Sequence, residues 1–192
     1  MDYKDEIYDT ISDEIEEYLQ KNEGRIDKAF YEYFDIFNQF KLDGKPYILG
    51  GFLRDTLIKK KPKDLDMVIL NGNKPNILDN IKRLKLEYTL NAFGDYKISY
   101  NNKEIDIWTV KNLIEAIEFN IDGLFYDIQE KRFVDIGFID AMDKNSVIRI
   151  NKINHPYMYC EDDWITKILK DIELLKNIIN EQTKDKNIEI NR

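Results

Sequence analysis

The strongest constraint on this chain is the stretch Tyr47–Leu70, YILGGFLRDTLIKKKPKDLDMVIL. It predicts a short apolar strand, a turn at Gly50 and Gly51, a basic helix, and a second strand that carries Asp64 and Asp66. Adjacent glycines let the backbone approach a phosphate group closely, and the N–H groups at the start of a helix favour anions. Alternate aspartates on a strand point to one face, where paired carboxylates can hold Mg²⁺. The stretch therefore predicts a phosphate-binding turn beside a pair of metal-binding carboxylates. These are the minimum features that phosphoryl or nucleotidyl transfer requires.

A third carboxylate is available further along the chain. Asp106 lies in a predicted strand at residues 104–110, where it alternates with isoleucines and shares a face with Glu104 and Trp108. Taken alone, an acidic residue in such a pattern is usually exposed to solvent. If a neighbouring strand brings Asp106 beside the first two aspartates, the three carboxylates predict a two-metal site.

The block GGFLRDTL, followed by DLD, resembles the head domain of class II tRNA nucleotidyltransferases (CCA-adding enzymes) and bacterial poly(A) polymerases. These enzymes belong to the DNA polymerase β-like nucleotidyltransferase superfamily. Their pattern runs GG-x-x-RD-x-L-L, then D-x-D, then a third carboxylate in a later strand, where Asp106 falls. Residues 117–127, IEFNIDGLFYD, resemble the family's RDFTINAL segment, and residues 140–149 resemble the stretch that closes the head. The resemblance covers about residues 45–150 and extends more loosely to about residue 175.

The resemblance implies an α+β nucleotidyltransferase fold, in which a mixed, mainly antiparallel sheet is flanked by helices. It also implies transfer of a nucleoside monophosphate from an NTP, ATP or CTP, to a hydroxyl with release of pyrophosphate. The implied acceptor is an RNA 3′ end, most naturally that of a tRNA. Asp64, Asp66 and Asp106 are the implied catalytic residues and the implied ligands of two Mg²⁺ ions.

The implied nucleotide-binding residues are Gly50, Gly51, Arg54, Asp55, Lys63 and Glu118. For Arg54 two interpretations stand side by side: charge near the triphosphate, or an ion pair with Asp55 that braces the turn. The Arg-Asp that opens the family's RDFTINAL segment is Ile117-Glu118 here, so the acid is kept and the arginine is lost.

The chain is predicted to have three parts. Residues 1–43 form a helical extension with helices at about 3–20 and 26–41, separated at Gly24. Residues 44–152 form the head, with a helix at 75–86 and strands at about 87–92, 96–101, 104–110, 121–126, 133–136 and 146–150, and a short helix at 112–119. Residues 153–192 form a neck-like helix with a frayed tail.

Charge and cysteine content limit the possible partners. Residues 1–43 hold 13 acidic and 5 basic side chains, so the formal charge of −8 lies in this segment and the rest is balanced. A basic cluster beside the motif, Lys59 to Lys63, is consistent with phosphate or RNA contact, although such a run is often only solvated. One cysteine and one histidine exclude an internal disulfide and leave almost no ligands for a Cys/His zinc site. With no membrane-length apolar run and no secretory signal, we expect a cytoplasmic protein without membrane contact.

Three functions remain open on the sequence alone. The first is an RNA 3′-end nucleotidyltransferase, and the second is the same chemistry on a protein or small-molecule acceptor. The third is a catalytically idle module that binds RNA or a partner, which the retention of all three acids disfavours. Because the family's body and tail normally hold the tRNA, we expect a homo-oligomer or a partner subunit to replace them.

Overall fold

The computed structural model describes the backbone of residues 3–151 and 161–190 and the side chains of residues 12–151 and 165–182. The helices are α1 (Tyr3–Phe30), α2 (Phe34–Phe37), α3 (Gly50–Leu57), α4 (Lys74–Arg83), α5 (Phe138–Lys144) and α6 (Glu161–Ile190). The strands are β1 (Lys45–Leu49), β2 (Asp64–Leu70), β3 (Glu87–Leu90), β4 (Tyr96–Tyr100), β5 (Lys103–Val110), β6 (Leu124–Asp127) and β7 (Arg132–Asp135). Short 3₁₀ turns cover Tyr31–Tyr33, Leu113–Ala116 and Asn120–Asp122.

All seven strands form one sheet in the order β3-β4-β5-β2-β1-β6-β7. Of the neighbouring pairs in this sheet, β2 and β5 run parallel and the others run antiparallel. The connection from β2 to β5 passes through α4 and the β3–β4 hairpin, since parallel neighbours need a long crossover. The predicted mixed, mainly antiparallel sheet flanked by helices is confirmed.

The two faces of the sheet are covered unequally. On one face, side chains such as Leu65, Met67, Ile105 and Ile107 join a large core that includes residues of α1, α3, α5 and α6. The opposite face has a smaller cluster, made by Tyr47, Leu49, Val68, Leu113, Ile117 and Phe125. This second face also carries Asp64, Asp66 and Asp106, because side chains alternate along each strand. The acids therefore lie on the less covered side of the sheet.

The predicted break at Gly24 is wrong, because α1 runs without interruption from Tyr3 to Phe30. A glycine inside a helix costs only about 1 kcal/mol relative to alanine, and packing can override that cost. Here Tyr18 and Ile26 are buried on either side of Gly24. The Tyr18 hydroxyl also donates a hydrogen bond to the backbone oxygen of Leu57 at the end of α3, at 2.7 Å.

Two smaller predictions also differ from the structure, and one helix was not predicted. The strand expected at 146–150 is reduced to one isolated bridge between Phe119 and Arg149, and the helix expected at 112–119 is only a 3₁₀ turn. The sequence analysis missed α5, whose first N–H groups are capped from outside: the Asp135 carboxylate accepts hydrogen bonds from the N–H groups of Phe138 and Ile139 at 2.9 and 3.0 Å.

Most of the segment predicted as a neck-like helix with a frayed tail is helical, and its role as a neck stays a prediction. Helix α6 begins at Glu161 and reaches Ile190, whereas residues 153–160 of the predicted segment lie outside the described residues. Its buried residues Ile168, Ile172, Leu175 and Ile179 belong to the main core. In the described part of the chain, no helix combines the length and the apolar character needed to span a membrane.

Candidate active site

The predicted acids meet on two parallel strands. Asp66 of β2 is directly opposite Asp106 of β5, and Asp64 is opposite Glu104. Neighbouring strands lie about 4.8 Å apart, and residues in register on parallel strands point to the same face. The three predicted aspartates therefore lie on one face of two neighbouring strands, together with Glu104, which the sequence already placed on the face of Asp106.

Asp66 is the most perturbed of these acids. Burial raises its pKa to about 6, and the charges of Asp106 and Asp64 add to this rise. The guanidinium of Arg54 and a hydrogen bond from the Gly51 backbone oppose it. A carboxyl that is buried among other acids is destabilised in its charged form, and this arrangement is common at functional sites.

The glycine pair supports Asp66 directly. Gly50 begins α3 with φ +70°, a left-handed conformation that favours glycine. A Cβ at this position would lie 2.7 Å from the Oδ2 atom of Asp66, whereas a Cβ at Gly51 would have nothing within 4 Å. The first glycine is thus required by its close approach to the Asp66 carboxylate, a reason that the sequence analysis did not identify.

Asp106 is held from the side away from Asp66. The Nδ2 atom of Asn91 donates to its Oδ1 atom at 3.4 Å, and the Lys97 ammonium lies 3.7 Å from its Oδ2 atom. Lys97 makes a closer ion pair with Glu104, at 2.7 Å. Burial raises the pKa of Asp106, while Lys97 and Asn91 act in the opposite direction. Sequence reasoning missed both residues, although the alternation of β4 is enough to place Lys97 on one face with Ser99.

Arg54 does not pair with Asp55, so that interpretation is wrong. Its Nη1 atom lies 3.1 Å from the Oδ1 atom of Asp122, and each of the two side chains is only 12% exposed. Burial raises the pKa of Asp122 to about 6, although the ion pair with Arg54 opposes the rise. Asp122 lies in the 3₁₀ turn that follows Glu118, and no local pattern relates it to α3.

Glu118 is buried and pairs with Arg149, with 3.3 Å between Oε1 and Nη2. The Arg149 guanidinium also lies over the Phe119 ring, 5.1 Å from its centroid. A guanidinium is therefore present next to this acid although the arginine expected at position 117 is lost. Lys63 is exposed and immediately precedes Asp64, and Asp55 is half-buried on α3. The nucleotide-binding roles of these residues remain predictions.

The candidate Mg²⁺ ligands are all acidic side chains. Among the described residues, no three acidic, histidine or cysteine side chains form a ready-made ligand group for one ion. The chemistry of the donors nevertheless suits Mg²⁺, because every candidate ligand is a carboxylate oxygen. Burial is the main cause of the raised Asp66 pKa, and a bound cation would relieve the repulsion from Asp106 and Asp64 that adds to it.

Part of this chain matches the model of a known protein family. Residues 46–120, which cover most of β1 and all of α3, β2, the crossover and β5, match the family model described as the poly(A) polymerase head domain. The match confirms the family resemblance over these residues. No curated protein matches the sequence.

Several solved structures are similar to this chain. A CCA-adding enzyme in complex with ATP is 20% identical, with a TM-score of 0.49, over 71% of this chain and 36% of that one. A tRNA-processing enzyme in an apo form is 18% identical, with a TM-score of 0.48, over 66% and 37%. A tRNA nucleotidyltransferase complexed with a primer tRNA and an incoming ATP analogue is 20% identical, with a TM-score of 0.41, over 50% and 33%. The chain spans about a third of the length of these three structures.

Proposed function

We propose that this chain, which carries a poly(A) polymerase head domain at residues 46–120, is a Mg²⁺-dependent nucleotidyltransferase. It would transfer a nucleoside monophosphate from ATP or CTP to the 3′ hydroxyl of an RNA, most naturally a tRNA, and release pyrophosphate. The observation that carries the proposal is the register of Asp66 with Asp106 on parallel strands, beside a glycine turn that contacts Asp66.

The roles of the residues follow from their positions. Asp64, Asp66 and Asp106 would hold the metal, which when bound lowers the pKa of the attacking hydroxyl and neutralises charge on the triphosphate. Asp66 is ionised at pH 7 to 8, because its pKa is about 6. The Gly51 backbone hydrogen bond orients this carboxylate, and Arg54 adds positive charge beside it. The first turn of α3 is free of acidic side chains, which favours a phosphate near its N-terminus.

An RNA acceptor is supported by a group of exposed lysines that we call the lysine patch. The loop between α3 and β2 ends next to Asp64, and the Lys60 ammonium joins this loop to α6 through Asp171, at 3.0 Å. The patch consists of exposed lysines from the loop and from α6, namely Lys59, Lys61, Lys63, Lys167 and Lys170. Of these lysines, Lys63 directly precedes Asp64, and clustered exposed lysines attract the phosphate backbone of RNA.

The expected second copy or partner subunit would supply further contacts to the RNA and remains part of this proposal. A protein or small-molecule acceptor would use the same acids and is the second candidate function. The single cysteine is consistent with a reducing, cytoplasmic setting.

The test is incorporation of each labelled NTP, with Mg²⁺, into tRNAs that have or lack their 3′ ends. Asp66→Ala should abolish the incorporation, because it removes the central acid of the site. Asp13→Ala, which removes an exposed carboxylate of α1, is the matched control and should retain full activity. Label on the protein instead of RNA would select the second candidate. Full activity of Asp66→Ala would refute the assignment of the site.

A further inference from the structure

The acid face of β2 and β5 already contains a cation from the protein. Lys97 on β4 is in register with Asp106 on β5, and β5 is in turn in register with β2. The Lys97 ammonium lies 2.7 Å from the Oε2 atom of Glu104 and 3.7 Å from the Oδ2 atom of Asp106. One lysine therefore contacts two of the four acids on this face.

The position of Lys97 has two consequences for a metal ion. A carboxylate oxygen that is paired with an ammonium group is less available as a ligand, so Glu104 is held away from the metal. A fixed positive charge next to Asp106 also repels any divalent cation that binds there, because Coulomb energies near a protein surface remain large over several ångströms. Both effects weaken the binding of a free ion.

We propose that Lys97 is a resident counter-ion of the acid face that lowers the affinity of the three aspartates for free Mg²⁺. With this charge in place, the site favours metal that arrives together with a triphosphate, because the phosphate charges offset the repulsion from the ammonium. Lys97 is thus a specificity-determining residue for the metal–nucleotide complex. This inference rests on the proposed metal site.

The experiment is a calorimetric titration of the metal-free protein with MgCl₂ in the absence of nucleotide. Lys97→Met and Lys97→Gln should each lower the Kd for Mg²⁺ about tenfold, which corresponds to about 1.4 kcal/mol. Lys97→Arg keeps the charge and should bind as the wild type does. Lys82→Met, which removes an exposed lysine of α4, is the matched control for the loss of one charge and should also leave the Kd unchanged.

A double variant separates charge from local packing. Lys97→Met with Glu104→Gln removes the ion pair without changing the net charge of the face, so its Kd should return to within about threefold of the wild-type value. A tenfold tightening that persists in the double variant would overturn the inference, and so would an unchanged or raised Kd in both neutral single variants. Absence of Mg²⁺ binding by the wild type and by every variant would refute the proposed metal site itself.

Discussion

Replacing Asp66 with asparagine should stabilise the metal-free protein at pH 8 while it abolishes nucleotide transfer. The pKa of Asp66 rises from 3.8 to about 6 in the folded protein, chiefly through burial and the charge of Asp106. A shift of about two pKa units at about 1.4 kcal/mol each corresponds to about 3 kcal/mol. This is the cost of keeping the carboxylate charged in the folded state.

The sign follows from proton binding. The folded state holds the Asp66 proton more tightly than the unfolded state does, so the folded protein is penalised as the pH rises above 3.8. The penalty grows until the pH passes about 6 and is constant above that value. Asparagine is never charged but can still accept the hydrogen bond from Gly51. The free energy of unfolding of Asp66→Asn should therefore exceed that of the wild type by about 3 kcal/mol at pH 8 and by about 1.5 kcal/mol at pH 5.

The assay is urea unfolding of both proteins in EDTA, followed by circular dichroism between pH 5 and pH 8. Asp122 also titrates near pH 6, but it is present in both proteins and cancels in their difference. Asp13→Asn controls for the removal of a charge that is exposed to solvent. A difference between Asp66→Asn and the wild type that does not change with pH would refute the reasoning. So would a variant that is less stable than the wild type at pH 8.

Two further substitutions test the supports of the site by the same unfolding assay. Gly50→Ala should lose about 1–2 kcal/mol, because its φ of +70° and its contact with Asp66 both exclude a Cβ, whereas Gly51→Ala should be tolerated, since its Cβ would meet nothing within 4 Å; equal losses would contradict this account. Arg54→Met should lose about 3–5 kcal/mol, because it leaves the charge of Asp122 buried and unpaired. Adding Asp122→Asn should recover part of that loss, and no recovery would show that the arginine stabilises the fold in another way.

The local pattern of the sequence was enough to predict the central part of the site. Alternation along β2 and β5 placed Asp64, Asp66 and Asp106 on one face of their strands, because the period of a strand is fixed by its backbone. Whether these strands are neighbours was left open by the sequence, and in the structure they are, with Asp66 opposite Asp106. A helix was also predicted after the turn at Gly50 and Gly51, at residues 53–60, whereas α3 begins at Gly50 itself and ends at Leu57.

The contacts that the sequence analysis missed depend on chain segments far apart in sequence. The pairing of Arg54 with Asp122, and of Lys97 with Glu104 on the neighbouring strand, follows from strand order and turn geometry, which local periodicity does not determine. The error at Gly24 has a related cause. A weak local preference was taken as decisive, whereas the burial of α1 against the core outweighs it.

The register of the parallel pair β2–β5 determines which side chains lie next to each other in the site. A change in the length of the β3–β4 hairpin leaves Asp66 opposite Asp106, although it can move Asn91, which donates a hydrogen bond to Asp106. A slip of β5 by a single residue would instead turn Ile105 or Ile107 toward Asp66 and drive Asp106 into the apolar core. Insertions within β5 itself should therefore be tolerated only in pairs of residues. An even number of inserted residues keeps each following side chain on its original face of the sheet, whereas an odd number moves it to the other face.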